Sequence, residues 1–340
     1  MNPLSILWAI LVFGVLIFIH ELGHFGVAKF FGIRVKEFAI GFGPVLGSMQ
    51  RGETRYSLRA VPLGGFVLMG GMEEGEEDDP RGYLRKPVYA RFLTILAGPV
   101  MNFLLATLIF VSYFAIVPSQ PTNTLGQVPE QCGAVTCPAY AAGLRAGDRV
   151  TAIGGAPVSG WNDLLALVGS SAGKPLSFQF ERGGVKQTVT IAPIQVEGGA
   201  WRVGITPAYE RISAGQALSV GVRTTYFASK QILSELGKVV TGRSKPEFQG
   251  PIGITVLIAD QAREGLPSLL QLTAFLSINL GLFNLLPIPA LDGSRLVFLT
   301  VEAIRGRRVD PRRESMVHLV GFLLLLGLMV VTAYGDIVRL

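Results

Sequence analysis

Charge is scarce in this sequence. Acidic and basic residues together fill only 16% of its 340 positions, against about 25% in an average soluble protein. The mean hydropathy is positive, at +0.46, which excludes an ordinary water-soluble enzyme. Cysteine is nearly absent: two residues are too few for a disulfide scaffold or a four-cysteine zinc site. There are only three histidines, so any cluster of them is informative. The net charge of +6 does not bring basic residues into a patch interleaved with aromatics, which argues against nucleic acid as a partner. What the chain has is apolar residues, 49% of the total, and these exclude intrinsic disorder.

The apolar residues are concentrated. A bilayer core about 30 Å thick needs about 20 of them in a helix, and four stretches qualify: Pro3 to Ala28, Phe92 to Val117, the uncharged run between Glu264 and Asp292, and Ser315 to Gly335. The first has no basic residue ahead of it and no small-residue cleavage site, so it is expected to remain as a span. Lys and Arg set the orientation. Lys29, Arg34, Lys36, Arg81, Arg85, Lys86 and Arg91 flank the first connection, and Arg305, Arg307, Arg308, Arg312 and Arg313 fill the last. Both connections are therefore expected in the cytoplasm, with the termini and the middle region outside.

The middle region, roughly 118–264, is too polar for lipid. Gly183-Gly184 and Gly154-Gly155 read as turns between short strands, followed by a helix whose Leu164, Leu165 and Val168 share a face. A helical pattern from Ile212 to Val240 is expected to lie along the membrane surface.

The chemistry begins in the first span, with His20-Glu21-Leu22-Gly23-His24. On an α-helix two histidines four apart stack on one face and share one metal ion, and the glutamate between them reaches a water at that ion. Chance would produce this pattern in a chain of this composition roughly once in a thousand. An isolated acid at the centre of a span costs about 2.5–3.5 kcal/mol to insert, a cost that a divalent cation offsets. Catalytic zinc usually takes three protein ligands and leaves one position open. The third ligand is expected at the end of span three, where Pro287 and Pro289 break the helix just before Asp292. Irregular backbone at membrane depth is tolerated only where protein or a water-filled cavity satisfies it. Zn2+ held by His20, His24 and Asp292 would then lower the pKa of a water to roughly 7, with Glu21 as general base and then acid.

His20-Glu21-x-x-His24 in span one, together with Asn284-x-x-Pro287-x-Pro289-x-Leu291-Asp292-Gly293, resembles the site-2 protease family of intramembrane zinc metalloproteases. Gly98-Pro99-Val100-Met101-Asn102 resembles its G-P-x-x-N element, and Ala142-Gly143-Leu144-Arg145-Ala146-Gly147-Asp148 resembles part of its extracytoplasmic PDZ domain. The resemblance covers nearly the whole chain. It implies a multi-pass α-helical membrane protein of four transmembrane helices, with a cytoplasmic-side β-hairpin region and an inserted, mainly β, extracytoplasmic PDZ domain. In that scheme residues 1–33 carry the first span, 34–91 the re-entrant hairpin and an acidic loop, and 92–117 the second span. The PDZ domain takes 123–207 and an interfacial helical segment 208–264. The third span then takes 265–291, a cytoplasmic loop 292–314 and the fourth span 315–335. One departure stands out: the branch that cuts anti-sigma factors carries two tandem PDZ domains, and the middle region has room for one.

The resemblance also implies an activity, the hydrolysis of peptide bonds within single-pass membrane proteins in a bacterial plasma membrane. Asn284 is implied to hold the substrate backbone. Pro287 in the break, and Gly64 and Gly65 on the hairpin, are expected to contact substrate as well. The segments Phe38–Pro44, Arg55–Val61 and Pro62–Met69 read as short strands around a turn at Arg51-Gly52, whose free edge is suited to pairing with an unwound substrate. Protein C-termini are a candidate ligand for the PDZ domain, with Leu125–Val128 in its groove. Glu73–Asp79 reads as a solvated loop, His318 as a packing residue and Cys132–Cys137 as a small-loop disulfide on the oxidising side. Two rival classes are an inactive scaffold that binds C-termini, which gives no reason for Glu21, and a metal transporter, which needs polar residues that spans two and four lack.

Overall fold

The computed structural model describes residues 3–72, 79–133, 135–196, 198–243 and 250–339. The chain forms two compact units, one of residues 114–216 and the other of the segments on either side.

The first segment opens with helix α1 (Pro3–Phe30), followed by a hairpin of β1 (Val35–Arg51) and β2 (Thr54–Met69). These are two long strands, where the sequence suggested several short ones. Gly41 and Gly43, at φ of +88° and +81°, let β1 bend without ending. The arms fold over, so that Phe38 lies opposite both Val67 and Tyr56. Phe42, Leu46, Met49 and Leu58 are left exposed along the hairpin. Of the acidic run, Glu73–Asp78 lie outside the described residues, while Asp79 pairs with Arg34 at 3.3 Å. A single 3-10 turn (Tyr83–Arg85) leads into α2 (Val88–Ile116), which carries Pro99 inside it.

In the second unit β3 (Gln120–Gln127) is followed by the short strands β4 (Gln131–Cys132) and β5 (Val135–Thr136) and by α3 (Pro138–Ala141). Next come β6 (Arg149–Ile153), β7 (Ala156–Pro157) and α4 (Trp161–Gly169). The hairpin of β8 (Leu176–Arg182) and β9 (Val185–Ile191) precedes β10 (Ile194–Gln195), β11 (Trp201–Arg202) and β12 (Thr206–Glu210). The main sheet has the order β12-β3-β6-β8-β9, with Gly183-Gly184 and Gly154-Gly155 at turns, all at positive φ. Its core holds Leu125, Leu144, Val150, Ile153, Leu164, Phe178, Phe180 and Ile191. Cys132 and Cys137 are disulfide-bonded. Asp148 is buried, accepting from the Arg145 backbone N–H at 2.8 Å and from Arg182 at 2.6 Å.

Two expectations fail in this unit. Leu165 is 53% exposed, because the inward stripe of α4 is the i, i+4 pair Leu164 and Val168 and the next residue turns about 100° away. Leu125 faces the core and pairs with Pro207 of β12, so this first residue of the expected groove segment Leu125–Val128 is not open to a ligand.

The chain then returns to the helical unit with α5 (Ala214–Val240), α6 (Pro251–Glu264), α7 (Leu266–Leu285), α8 (Asp292–Arg305) and α9 (Pro311–Arg339). The helical pattern read from Ile212 to Val240 is α5, and the segment expected to be helical, 208–264, also holds the end of β12 and a second helix, α6. Span three stops at Leu285, six residues earlier than expected, because Pro287 cannot extend it. The expected loop 292–314 contains a helix: Leu296 and Leu299 bury one side of α8, and Gly306 closes it at φ +68°. Among the described residues, four helices are long and apolar enough to cross a membrane, at Leu4–Phe30, Val88–Ile116, Leu266–Leu285 and Glu314–Val338. Against α1, Ala9, Val12 and Leu16 pack with Ile258 of α6 and Leu269 of α7. Asp336 of α9 accepts from the first N–H groups of α6, Gly250 at 3.0 Å and Gly253 at 2.8 Å.

Candidate metal centre

The histidines of α1 stack as their spacing dictates, and Asp292, 272 residues from His20, comes to them. His20 Nε2 lies 3.0 Å from Asp292 Oδ2, His24 Nε2 lies 3.2 Å from the same oxygen, and the two Nε2 atoms are 3.2 Å apart. Three ligands at about 2.0–2.1 Å from a tetrahedral zinc stand about 3.3–3.4 Å from one another. The triangle is therefore nearly the right size, and a metal would need to spread it by only tenths of an ångström. All three side chains are largely buried, with 9%, 8% and 17% of each exposed. Among the described residues, this is the group of His, Cys, Asp and Glu able to hold a metal ion. The Glu21 carboxylate is within electrostatic reach of His24, His20, Asp292 and Arg295.

Helix α2 runs antiparallel beside α1 and supplies what stands behind the imidazoles. His24 Nδ1 donates to the Thr94 carbonyl at 2.8 Å, and His20 Nδ1 lies 3.0 Å from the Asn102 side-chain amide. Between them is Gly98. A Cβ there would strike the His24 ring and come within 2.9 Å of His20 Cε1, so only glycine lets α2 approach this closely.

Asp292 is positioned by the break and by the helix beyond it. Ala290 sits at φ +76°, and its N–H donates to His318 Nδ1 at 3.2 Å. Asp292 then opens α8, which is tied to α2 by Arg91 donating to both carboxylate oxygens of Glu302 at 2.9 and 2.6 Å. Arg91, read from sequence as a topology marker, is thus buried in an ion pair.

The remaining expected site residues are spread around this centre. Gly65 of β2 lies against α1, where an added Cβ would be 3.0 Å from Ile17 and 3.1 Å from Glu21 Cγ. Gly64, at φ +129°, packs beneath the Phe42 ring. Asn284 is in the last turn of α7, one residue before its end, and donates to the Leu280 carbonyl at 3.0 Å. Pro287 is exposed in the break. His318 serves the loop and is not in the metal-competent group. Thr94, Gly98 and Asn102 were not singled out by the sequence as site residues, although G-P-x-x-N contains two of them.

Two imidazoles and a carboxylate with a glutamate beside them are the donor set and the base that a metal-dependent hydrolase uses. Residues 8–328 match Peptidase family M50, and the chain belongs to that family, the site-2 proteases, which are zinc metalloproteases. It is 34% identical to zinc metalloprotease RasP of Geobacillus kaustophilus over 416 aligned positions, covering 98% of this chain and 97% of that one. It is 38% identical to a putative zinc metalloprotease of Clostridium perfringens (98% of each chain) and 32% to the regulator of sigma-W protease RasP of Bacillus subtilis (97% of each). A PDZ domain of an SdrC-like protein from Listeria monocytogenes overlays 27% of this chain and 92% of its own at 20% identity, with a TM-score of 0.23, too low to bear on the fold.

Proposed function

We propose that this zinc metalloprotease works inside the membrane, hydrolysing peptide bonds within the spans of single-pass membrane proteins. The observation that carries the reading is the meeting of Asp292 with His20 and His24 inside a span, His20 about 15 Å and His24 about 9 Å from its Phe30 end. His20 Nε2, His24 Nε2 and an Asp292 carboxylate oxygen would hold Zn2+. When bound, the ion polarises the scissile carbonyl and makes water a nucleophile near neutral pH. The Glu21 carboxylate takes the proton from that water and returns it to the departing amine nitrogen.

A substrate helix has its amides paired internally and must unwind first. The β2 edge around Gly64 and Gly65, lying against Glu21, offers an extended substrate a strand to pair with. Asn284 and Pro287, at the end of α7, hold its other side. The exposed apolar residues of the hairpin suit it to re-enter the lipid. The site is nearer the Phe30 end of α1, which leads to Lys29 and Arg34. With the positive-inside rule this supports a site toward the cytoplasm of a bacterial plasma membrane, with the termini and the strand-rich unit outside. That unit acts as a PDZ domain receiving protein C-termini after an earlier cut. The name of the Bacillus subtilis relative, regulator of sigma-W protease, makes a membrane-bound anti-sigma factor the first substrate to try.

The test is reconstitution of the purified protein with a single-span reporter. The wild type should cut within the span, and Glu21→Gln should retain zinc while losing about 10²–10⁴-fold in rate. Cleavage only outside the span, or equal rates for the two proteins, would overturn the proposal.

A further inference from the structure

A cavity of about 320 Å³ opens beside α8. Arg295, Leu299 and Glu302 of α8 line it, together with Arg91 of α2, Arg308 and His318. Spaced by three and four residues, Asp292, Arg295, Leu299 and Glu302 share one face of the helix. The face that brings Asp292 to the imidazoles therefore continues along the cavity. Helix α8 belongs to the connection between the third and fourth spans, so this face runs from the metal centre to a segment outside the spans.

The charges around the cavity are paired, with one exception. Arg91 donates to both carboxylate oxygens of Glu302, and Arg308 Nε stands 3.5 Å from the same group. Glu314, also on the wall, lies 3.8 Å from His318 Nε2. Among the described residues, half-buried Arg295 has no hydrogen-bond or ion-pair partner. Its charge is within electrostatic reach both of Glu21 and of Tyr83 on the cavity wall. A guanidinium in this position is ready for an anion, and its planar fork of donors fits a carboxylate with two parallel bonds.

Peptide hydrolysis creates such an anion at the site. The water oxygen joins the carbonyl carbon, the C–N bond breaks, and the amine leaves with a proton. The fragment on the carbonyl side then ends in a carboxylate, which is costly in hydrocarbon. We propose that the cavity receives this new carboxylate end of the cleaved peptide and that Arg295 binds it. Arg295 stands about 4.5 Å beyond Asp292 along α8, so the end finds a cation next to the place where it forms. A cavity on the face that carries Asp292 favours a product of the reaction over a lipid headgroup.

The proposal rests on the reading of the protein as a protease that cuts within spans, and the experiment separates the two. Full-length protein in detergent is stripped of zinc, so that the metal cannot attract the carboxylate. A fluorescent apolar hexapeptide with a free C-terminus is then compared with its C-terminal amide. The wild type should bind the acid about 10- to 100-fold more tightly. Arg295→Gln should lose that preference while its affinity for the amide and its capacity for zinc stay unchanged. Arg295→Lys, which keeps the charge, should retain part of it. Equal binding of acid and amide by the wild type, or a preference that survives in Arg295→Gln, overturns the proposal. So does binding of phosphatidylglycerol vesicles that is lost in Arg295→Gln without any acid preference, which would assign the cavity to a lipid phosphate. Acid preference in a protein that fails to cut the single-span reporter supports the carboxylate site and overturns the protease reading instead.

Discussion

The strand-rich unit and the helical unit are held together by opposite means. In the first, large side chains fill a core: Phe178 and Phe180 are essentially unexposed, and Leu125, Ile153 and Leu164 close around them. Around the metal site the decisive contacts occur where side chains are missing or polar. Gly23 meets the Ala97 carbonyl, Gly98 meets the imidazoles, and Thr94, Asn102 and Ser277 are buried with no exposure. The difference comes from the solvent. Water drives large apolar groups together, but lipid tails are as apolar as leucine, so helices in a membrane associate through close backbone approach and hydrogen bonds. A core tolerates many sequences of similar volume. A glycine against a histidine ring tolerates one.

The largest effect should come from the missing side chain. Gly98→Val fills the space that His24 and His20 occupy, so zinc affinity should fall at least about 100-fold, read by metal content after dialysis; a variant that stays loaded would show that α2 yields there. Phe178→Ala should cost the strand-rich unit about 3–5 kcal/mol and leave zinc content unchanged, checked by urea unfolding followed through Trp161 and Trp201 of that unit. Loss of zinc in this variant would mean that the two kinds of stability are linked. Glu302→Gln leaves the Arg91 guanidinium buried against an uncharged amide, and should destabilise the helical unit by about 3 kcal/mol, seen as a lower thermal midpoint with Glu21 still in place.

The smallest effect belongs to the hairpin. Burial pushes the Glu37 carboxyl up, but hydrogen bonds from Ser57 at 2.5 Å and Arg59 at 2.7 Å outweigh it and hold the group below the ordinary glutamate range. A depressed folded-state pKa contributes stability that is fully present above the unfolded value of about 4.3 and is lost as the pH falls through the folded one. Protease nicking of the hairpin should therefore increase below pH ~4 in the wild type, and Glu37→Gln should lack that dependence.

How much of this was legible depends on how local each signal is. The His20–His24 pair is set by helical period alone, and the two prolines before Asp292 mark where a helix must stop. Behind them the signals become non-local. Thr94 acts through its carbonyl, which every residue has, so no residue type could reveal it. Arg91 and Glu302 are 211 positions apart, and each reads as an ordinary surface charge. Helix α8 was hidden because the segment after a break, rich in arginine, looks like any polar connection until Leu296 and Leu299 are seen to face inward. Leu125 is apolar in a strand of mixed pattern, and only the pairing of β3 on both sides shows that it belongs to the core.

Helix α9 has only 6% of its most apolar stretch buried within the protein, yet it touches the rest at telling places: His318 at Ala290, Gly321 at Pro289 and Asp336 at the start of α6. Most of its outer surface answers to the bilayer alone, so mutation can rewrite that surface freely so long as it stays greasy. The few inward positions are another matter, because two of them clasp the very segment that delivers Asp292. A helix that looks like mere ballast in the sequence thereby keeps the carboxylate of Asp292 beside the two imidazoles.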